Sequence, residues 1–336
     1  MREGLLELLR CPRCQGAATF AVEASSRDAQ EIREGSVRCR ACGLERPVVG
    51  GIVDLLFEPP DFVVREAAGL ERFAEVMRRD GWDRERILQL PDVPYGYWYD
   101  QMRGMRQVLT TVPFRPGERI LDIGANTCWA SNILARLGLE VVALDIATTE
   151  LQGLRTADYF IDGGEVYFER VLSVMFDPAF VDASFDYVFC CETMHHNHPA
   201  NLRRTMRELH RILRPGGRLL MINEPLRFPF RLKRDNGSEV AAFEGHEHVY
   251  FLHQYLRAAW AAGFHVSLPG VRAAAYGLRG GDGPVPPPTG RLAPLKAALR
   301  RHAAGRRVIH GYRIAYYWWK HVIAGDASFS LFGEKR

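Results

Sequence analysis

No run of 18 apolar residues occurs anywhere in the 336-residue chain, so no segment reads as a helix long enough to cross a membrane. Glu3 and Glu7 interrupt the first ten residues, which excludes the apolar stretch of a secretory leader there. The default expectation is a cytoplasmic enzyme with reduced cysteines. Charge of one sign is not in excess: 44 Lys and Arg stand against 40 Asp and Glu, and a net charge of +4 names no partner. There is no internal repeat. One local absence stands out, because residues 283–325 contain no Asp or Glu but eight Lys and Arg.

With 47% hydrophobic residues the chain can bury a sizeable core, enough for one large domain and one or two small ones. The large one is organised around Arg119-Ile-Leu-Asp-Ile-Gly-Ala-Asn-Thr-Cys-Trp129. A short apolar run is followed by a tight turn and then by a helix from Trp129 to about Leu137, with Ala130, Ile133, Leu134 and Leu137 on one face. A second apolar run, Leu139 to Leu144, ends in Asp145, 23 residues after Asp122. Strand, turn, helix, strand and acid form the βαβ unit that binds adenosine-containing cofactors. Gly124 lets the backbone turn sharply and approach a ligand, and the helix start behind it presents free N–H groups. Asp145 is placed to accept hydrogen bonds from both ribose hydroxyls.

Asp122-Ile-Gly-Ala-Asn-Thr-Cys-Trp129, Val142-Ala-Leu-Asp145, Ser184-Phe-Asp-Tyr-Val188 and Leu213-Arg-Pro-Gly-Gly217, in this order, resemble the motifs of class I S-adenosylmethionine (SAM) methyltransferases of the type 11-like kind. The resemblance covers about residues 115–270. It implies a Rossmann-like, doubly wound α/β sheet. It also implies that Asp122, Gly124, Ala125, Asn126 and Cys128 contact the methionine part of SAM, that Asp145 with Ile146 meets the ribose, and that Met175 and Glu192 border the cofactor. Two departures are visible. Asn126 and Cys128 stand where second and third glycines are common, although Asn tolerates left-handed backbone. Ser173-Val-Met175 stands where the family usually places an acid against the adenine amino group.

Residues 1–57 read as a separate unit. Cys11-Pro-Arg-Cys14 and Cys39-Arg-Ala-Cys42 are two knuckles able to hold Zn²⁺ in a closed, structural site, with disulfides or unrelated buried cysteines as the alternative. The unit resembles the zinc-ribbon module attached to, or partnered with, various bacterial methyltransferases, which chooses no substrate. Residues 58–111 read as helical, a linker or lid. Leu70, Phe73 and Met77 are expected on a buried side and Glu66, Glu71, Arg72, Glu75, Arg78 and Arg79 on a solvated one. The aromatics Tyr95, Tyr97, Trp98 and Tyr99 suit either a water-excluding lid or plain packing.

Strands are expected at 166–172, 185–191 and 218–222, with a last one at 328–332. The loop Glu192-Thr-Met-His-His-Asn-His198 follows the fourth strand of the sheet, where open α/β sheets place chemistry. The mouth could gather His195, His196, Glu224, His246 and His248. Three readings remain for these residues. One is a general base at His195 or His196, assisted by Glu224. The second is a divalent metal held by His195, His246 and His248, and the third is structural histidines.

The domain plan is therefore 1–57, 58–111 and 112–336, with a basic insertion at about 271–325. The function expected is SAM-dependent methyl transfer to a small acceptor, apolar or lipid-linked. RNA methylation and a non-catalytic adaptor are the alternatives. The segment 283–325, with Tyr317, Trp318 and Trp319 among its cations, suits an anionic membrane surface, a lipid-linked substrate or nucleic acid; packing on the main domain is the plainer reading.

Overall fold

The structure is a computed structural model that describes residues 1–336 except 18, 92–96, 228–246, 270–301, 303, 306, 309–310, 313–314 and 316–327. The N-terminal strands are β1 (Phe20–Arg27), β2 (Ile32–Cys39), β3 (Glu45–Val49) and β4 (Ile52–Asp54). Helices α1 (Asp61–Arg79), α2 (Arg84–Leu88) and α3 (Tyr97–Thr111) follow. The α/β part comprises β5 (Arg119–Ile123), α4 (Trp129–Arg136), β6 (Glu140–Asp145), α5 (Asp158–Ile161), β7 (Glu169–Leu172) and β8 (Phe185–Cys191). It continues through α6 (Leu202–Ile212), β9 (Leu213–Pro225), α7 (Leu252–Ala261), β10 (Phe264–Ser267) and β11 (Ser328–Lys335).

The eleven strands of the described residues join one sheet in the order β1-β2-β3-β4-β7-β6-β5-β8-β9-β11-β10. The five strands from β7 to β9 run parallel, and β11 inserts antiparallel between β9 and β10. From β5 the chain winds outward through β6 and β7, then returns to build β8 and β9 on the other side. The strand order thus reverses between β5 and β8, and a crevice opens beyond their carboxyl ends. This is the doubly wound α/β sheet that the motifs imply. The residues of β8 coincide with the expected 185–191. The third parallel strand is shorter than expected, starting at Glu169 rather than 166, and β9 is longer, opening at Leu213.

The N-terminal unit does not stand apart as its composition suggests. Strand β4 pairs in parallel with β7, Val53 opposite Val171, so the ribbon extends the main sheet. Leu5, Leu9, Val37 and Val48 share one buried core with Leu121, Val188 and Leu219. The physical reason lies at the seam. An uncovered β7 would present unpaired backbone groups, and β7 carries Arg170, whose side chain is 0% exposed. That guanidinium is paired with Glu31 of the ribbon and with Asp158, the latter at 2.6 Å. Its charge is compensated by one carboxylate from each half. Gly51 is obligatory here: its φ is +77°, and a Cβ would lie 2.4 Å from both the Arg170 guanidinium and the Glu31 carboxylate.

Candidate active site

The crevice holds a cavity of about 590 Å³, within the range of small-molecule sites. Its floor is the turn after β5. Gly124 and Ala125 donate backbone N–H bonds to the carbonyl of Leu144 at 2.9 and 3.1 Å, tying the turn to the end of β6. Asn126 and Cys128 take φ of +44° and +57°, so the asparagine supplies the left-handed geometry that glycine usually gives. Gly124 itself has φ +67°, and an added Cβ would sit 2.4 Å from Cγ2 of Thr193. Gly124→Ala should therefore abolish binding of S-adenosylhomocysteine in a calorimetric titration. Binding at wild-type strength would show that the turn is not the ligand seat.

Two buried acids face this turn. Asp145 accepts N–H bonds from Asn126 (2.9 Å), Ile146 (2.7 Å) and Ala147 (3.0 Å). Burial pushes its pKa up to about 6, against the pull of those three bonds. Asp122 accepts from the Ser131 hydroxyl at 2.6 Å, and burial pushes it up to about 7, with the charge of Asp145 adding to the rise. Asp122, Gly124, Ala125, Asn126, Asp145, Ile146, Met175 and Glu192 all line the cavity, so eight of the residues expected at the cofactor are gathered. Cys128 is the correction. Its thiol is fully buried and points to the Asn126 carbonyl at 3.6 Å, because the left-handed turn directs it into the core. Where an acid was missing, Val174, Met175 and Phe176 form an apolar wall instead.

Helix α1 covers the cavity along its length. Phe62, Val63, Glu66, Leu70, Phe73 and Met77 face inward, as a single helical face spaced by threes and fours should. One end of α1 is held at the cofactor side, where Gln152 bridges Met77 (2.8 Å to Sδ) and the Asn126 amide (2.8 Å). The other end is held at the histidine loop. His196 Nδ1 lies 2.6 Å from Oε1 of Glu66. Glu66 was expected on a solvated face; it is 5% exposed, and its position four residues before Leu70 was the signal that it shares the buried side. Burial alone would lower the pKa of His196, but the hydrogen bond and charge of Glu66 outweigh it and hold the imidazole above its ordinary value.

Glu224 is placed differently from expectation. It is 0% exposed, does not line the cavity, and accepts N–H bonds from Thr193 (2.7 Å), Met194 (2.8 Å) and His195 (3.2 Å), with His195 Nδ1 also at 3.2 Å. Burial alone would raise its pKa; the bonds and charge of His195 and the two backbone amides hold it below the usual value. The amides that open the short turn at Met194–His196 have no helical partners, and a buried anion satisfies them. Glu224 thus positions the loop and the His195 ring, and it touches no ligand space. His195 and His196 do line the cavity, with ring centroids 4.2 Å apart.

His246 lies outside the described residues. His248 donates its backbone N–H to the His195 carbonyl at 2.6 Å and packs edge-on against His198 at 5.8 Å, away from the cavity wall. Among the described residues the cluster within 4.8 Å is instead His195, His196 and Glu247. Burial raises the Cys191 thiol well above its ordinary value, so it is no nucleophile. Trp98 lines the cavity beside Trp82 (6.1 Å) and Trp129 (6.3 Å); Tyr95 and the side chains of Tyr97 and Tyr99 lie outside the described residues. Most of 283–325 is also outside them, and Val308 and Tyr312 are 62% and 64% exposed. No described helix is long and apolar enough to cross a membrane.

At the other end of the chain, Cys11, Cys14, Cys39 and Cys42 converge. Cys11 and Cys42 Sγ are 3.6 Å apart, and Cys14 and Cys39 Sγ 3.7 Å. Tetrahedral sulfur ligands about 2.3 Å from Zn²⁺ stand roughly 3.8 Å from one another, so the four residues fit that ion and leave no open position.

Residues 121–221 match the family model described as "Methyltransferase domain". The chain is 31% identical over 138 residues to the 27-O-demethylrifamycin SV methyltransferase of Amycolatopsis mediterranei, covering 38% of this chain and 49% of that protein. It is 34% identical over 113 residues to the ubiquinone biosynthesis O-methyltransferase of Xanthomonas oryzae pv. oryzae, covering 31% and 42%. The chain thus spans about half the length, or less, of the curated relatives it matches. Among solved structures it aligns with phosphoethanolamine N-methyltransferase 2 of Haemonchus contortus at a TM-score of 0.46 and 18% identity, over 78% of this chain and 59% of that one.

Proposed function

We propose that this chain, whose α/β domain is of the class I SAM-dependent methyltransferase type, methylates a hydroxyl of a small uncharged acceptor. The observation that carries the reading is the cavity itself. It has the Asp145 turn at one end and a histidine–carboxylate pair at the other, both under α1. When bound, SAM supplies an electrophilic methyl group.

The residues divide the remaining work. Asp145 and the backbone of 124–126 hold the ribose and the turn. Aromatic side chains close the acceptor end, Phe62 against Phe176 at 5.9 Å and His198 at 5.7 Å, and keep water from the reacting atoms. Glu66 engages His196 Nδ1, which leaves Nε2 to take the acceptor's proton. His195, held by Glu224, sets the loop geometry. Helix α1, which lines the cavity along its length, would serve as its lid.

The described cavity wall carries six carboxylates (Glu66, Asp80, Asp122, Asp145, Glu192, Glu247) and no Lys or Arg. A polyanion or phosphorylated acceptor would meet only repulsion there, which weighs against RNA. The names of the curated relatives, both acting on small molecules, support the same reading. The basic segment 283–325 would bring the enzyme to an anionic surface or a lipid-linked acceptor.

The test is release of S-adenosylhomocysteine from SAM with panels of phenols, catechols and polyketide alcohols. Transfer to one of these is expected, with little dependence on salt. Transfer to RNA alone, falling steeply with salt, would overturn the reading. His196→Ala should lower kcat by about 10²–10⁴-fold. Because the base must be neutral, the wild-type rate should rise with pH through a pKa above the ordinary histidine value. Glu66→Gln should move that acid limb to lower pH. An unmoved limb would remove His196 from the role of base.

A further inference from the structure

His195, His196 and Glu247 bring one ligand atom each within 4.8 Å of the others, and all three line the cavity. Ligand atoms about 2.0–2.2 Å from a single ion stand about 3–3.5 Å from one another, so side-chain shifts of about 1 Å would close the three around it. The backbone supplies the proximity. The two histidines are neighbours on the turn at Met194–His196, with ring centroids 4.2 Å apart. The His248 N–H, donated to the His195 carbonyl at 2.6 Å, draws the adjoining Glu247 to the same turn.

The group behind each ring points to an ion. His195 Nδ1 faces Glu224 Oε2 at 3.2 Å, and His196 Nδ1 faces Glu66 Oε1 at 2.6 Å, both carboxylates being buried. A carboxylate only accepts, so the nitrogen against it carries the proton and the neutral imidazole keeps its lone pair on Nε2. Metal-binding histidines are held in this way, with the second nitrogen against a carboxylate that fixes tautomer and ring orientation. Charge agrees with geometry, because the described cavity wall holds six carboxylates and no Lys or Arg and so attracts cations. Two imidazoles with one carboxylate suit Zn²⁺, Co²⁺ or Ni²⁺, whereas Mg²⁺ and Ca²⁺ take oxygen ligands.

We propose that His195, His196 and Glu247 form a site for a divalent transition-metal ion, and that the bound ion prevents His196 from acting as the base. The second part rests on the methyltransferase reading: a lone pair given to the metal takes no proton from the acceptor. Filling this site therefore switches methyl transfer off. It is separate from the four-cysteine site, which is closed and structural.

The experiment uses the full chain with Zn²⁺ at the four cysteines and free metal removed, titrated with Co²⁺ and followed by visible absorption. One further Co²⁺ should bind, with ligand-field bands but without the intense charge-transfer band of thiolate ligation. Zn²⁺ should displace it and excess Mg²⁺ should not. Glu247→Gln should weaken this ion by about tenfold or more, and Glu66→Gln, which removes an orienting carboxylate, by about ten- to a hundredfold, with unfolding midpoints near wild type showing that both variants are folded. Wild-type methyl transfer should fall as the site fills, and Glu247→Gln, with its metal-free rate retained, should need correspondingly more metal. Absence of a second ion, equal affinity in wild type and both variants, or displacement by Mg²⁺ would overturn the site. Transfer that rises with filling would overturn the exclusion of the base. The binding titration needs neither SAM nor acceptor. A chain that takes the ion but binds no S-adenosylhomocysteine fails the methyltransferase reading alone, and one that binds S-adenosylhomocysteine but no second ion fails this proposal alone.

Discussion

Asp145→Ala should weaken S-adenosylhomocysteine binding by about a hundredfold or more, with the thermal unfolding midpoint lowered as well, because three backbone amides lose their acceptor. Two hydrogen bonds from ribose hydroxyls to a buried carboxylate are worth about 1.5–3 kcal/mol each, and tenfold in affinity corresponds to about 1.4 kcal/mol. The loss has a second origin. Asp145 also fixes the turn through the amide of Asn126, and without that bond the left-handed residues that shape the floor lose their anchor. The ionised form is the better acceptor. With burial holding its pKa up at about 6, wild-type affinity should fall as pH drops through that value, and Asp145→Asn should lack this limb. Calorimetric titration from pH 5 to 8 measures both effects. Wild-type affinity in Asp145→Ala would separate the ribose from β6 and with it the proposed orientation of the cofactor.

The second large effect concerns the four-cysteine site. Cys39→Ser, or prolonged treatment with a strong chelator, should lower the unfolding midpoint by about 10 °C or more, with metal release measured in parallel. Structural zinc contributes many kcal/mol to small domains, roughly 10 or more, and each kcal/mol shifts the midpoint of a chain this size by roughly 1.4 °C. The effect should not stay local. Strand β4 covers β7, and Glu31 compensates Arg170; a loosened ribbon exposes both. The wall at 174–176 follows directly on β7, so S-adenosylhomocysteine affinity should fall with the metal. A chain purified without metal that has the same midpoint and affinity would reduce the cysteines to ordinary core residues.

Much of this was legible in the residues because it is local. The turn at Gly124, the helix behind it and the acid after β6 are written within about two dozen consecutive positions, and sheet geometry turns that spacing into a pocket floor. The cysteine pairs are equally local, each knuckle spanning four residues. The inward face of α1 could be read from Leu70, Phe73 and Met77, whose threes and fours survive any tertiary context.

Charged and polar groups were misread where their partners are far along the chain. Glu66 looked like surface until His196, 130 residues away, was brought against it. Glu224 looked catalytic by its place at a strand end, yet three loop amides capture it below the floor. The ribbon looked autonomous because its cysteines close a site of their own, while Arg170 on β7 requires Glu31 from it. Sequence by itself determined the strand order's nucleus, the tight turn after β5 and the convergence of the cysteine pairs, since backbone turns and short-range residue sets depend on neighbours in the chain. Tertiary structure alone decided which acids are buried, what they hold and how many strands the sheet has. A buried charge is tolerated only where a partner from elsewhere meets it, and spacing along the chain does not encode that meeting.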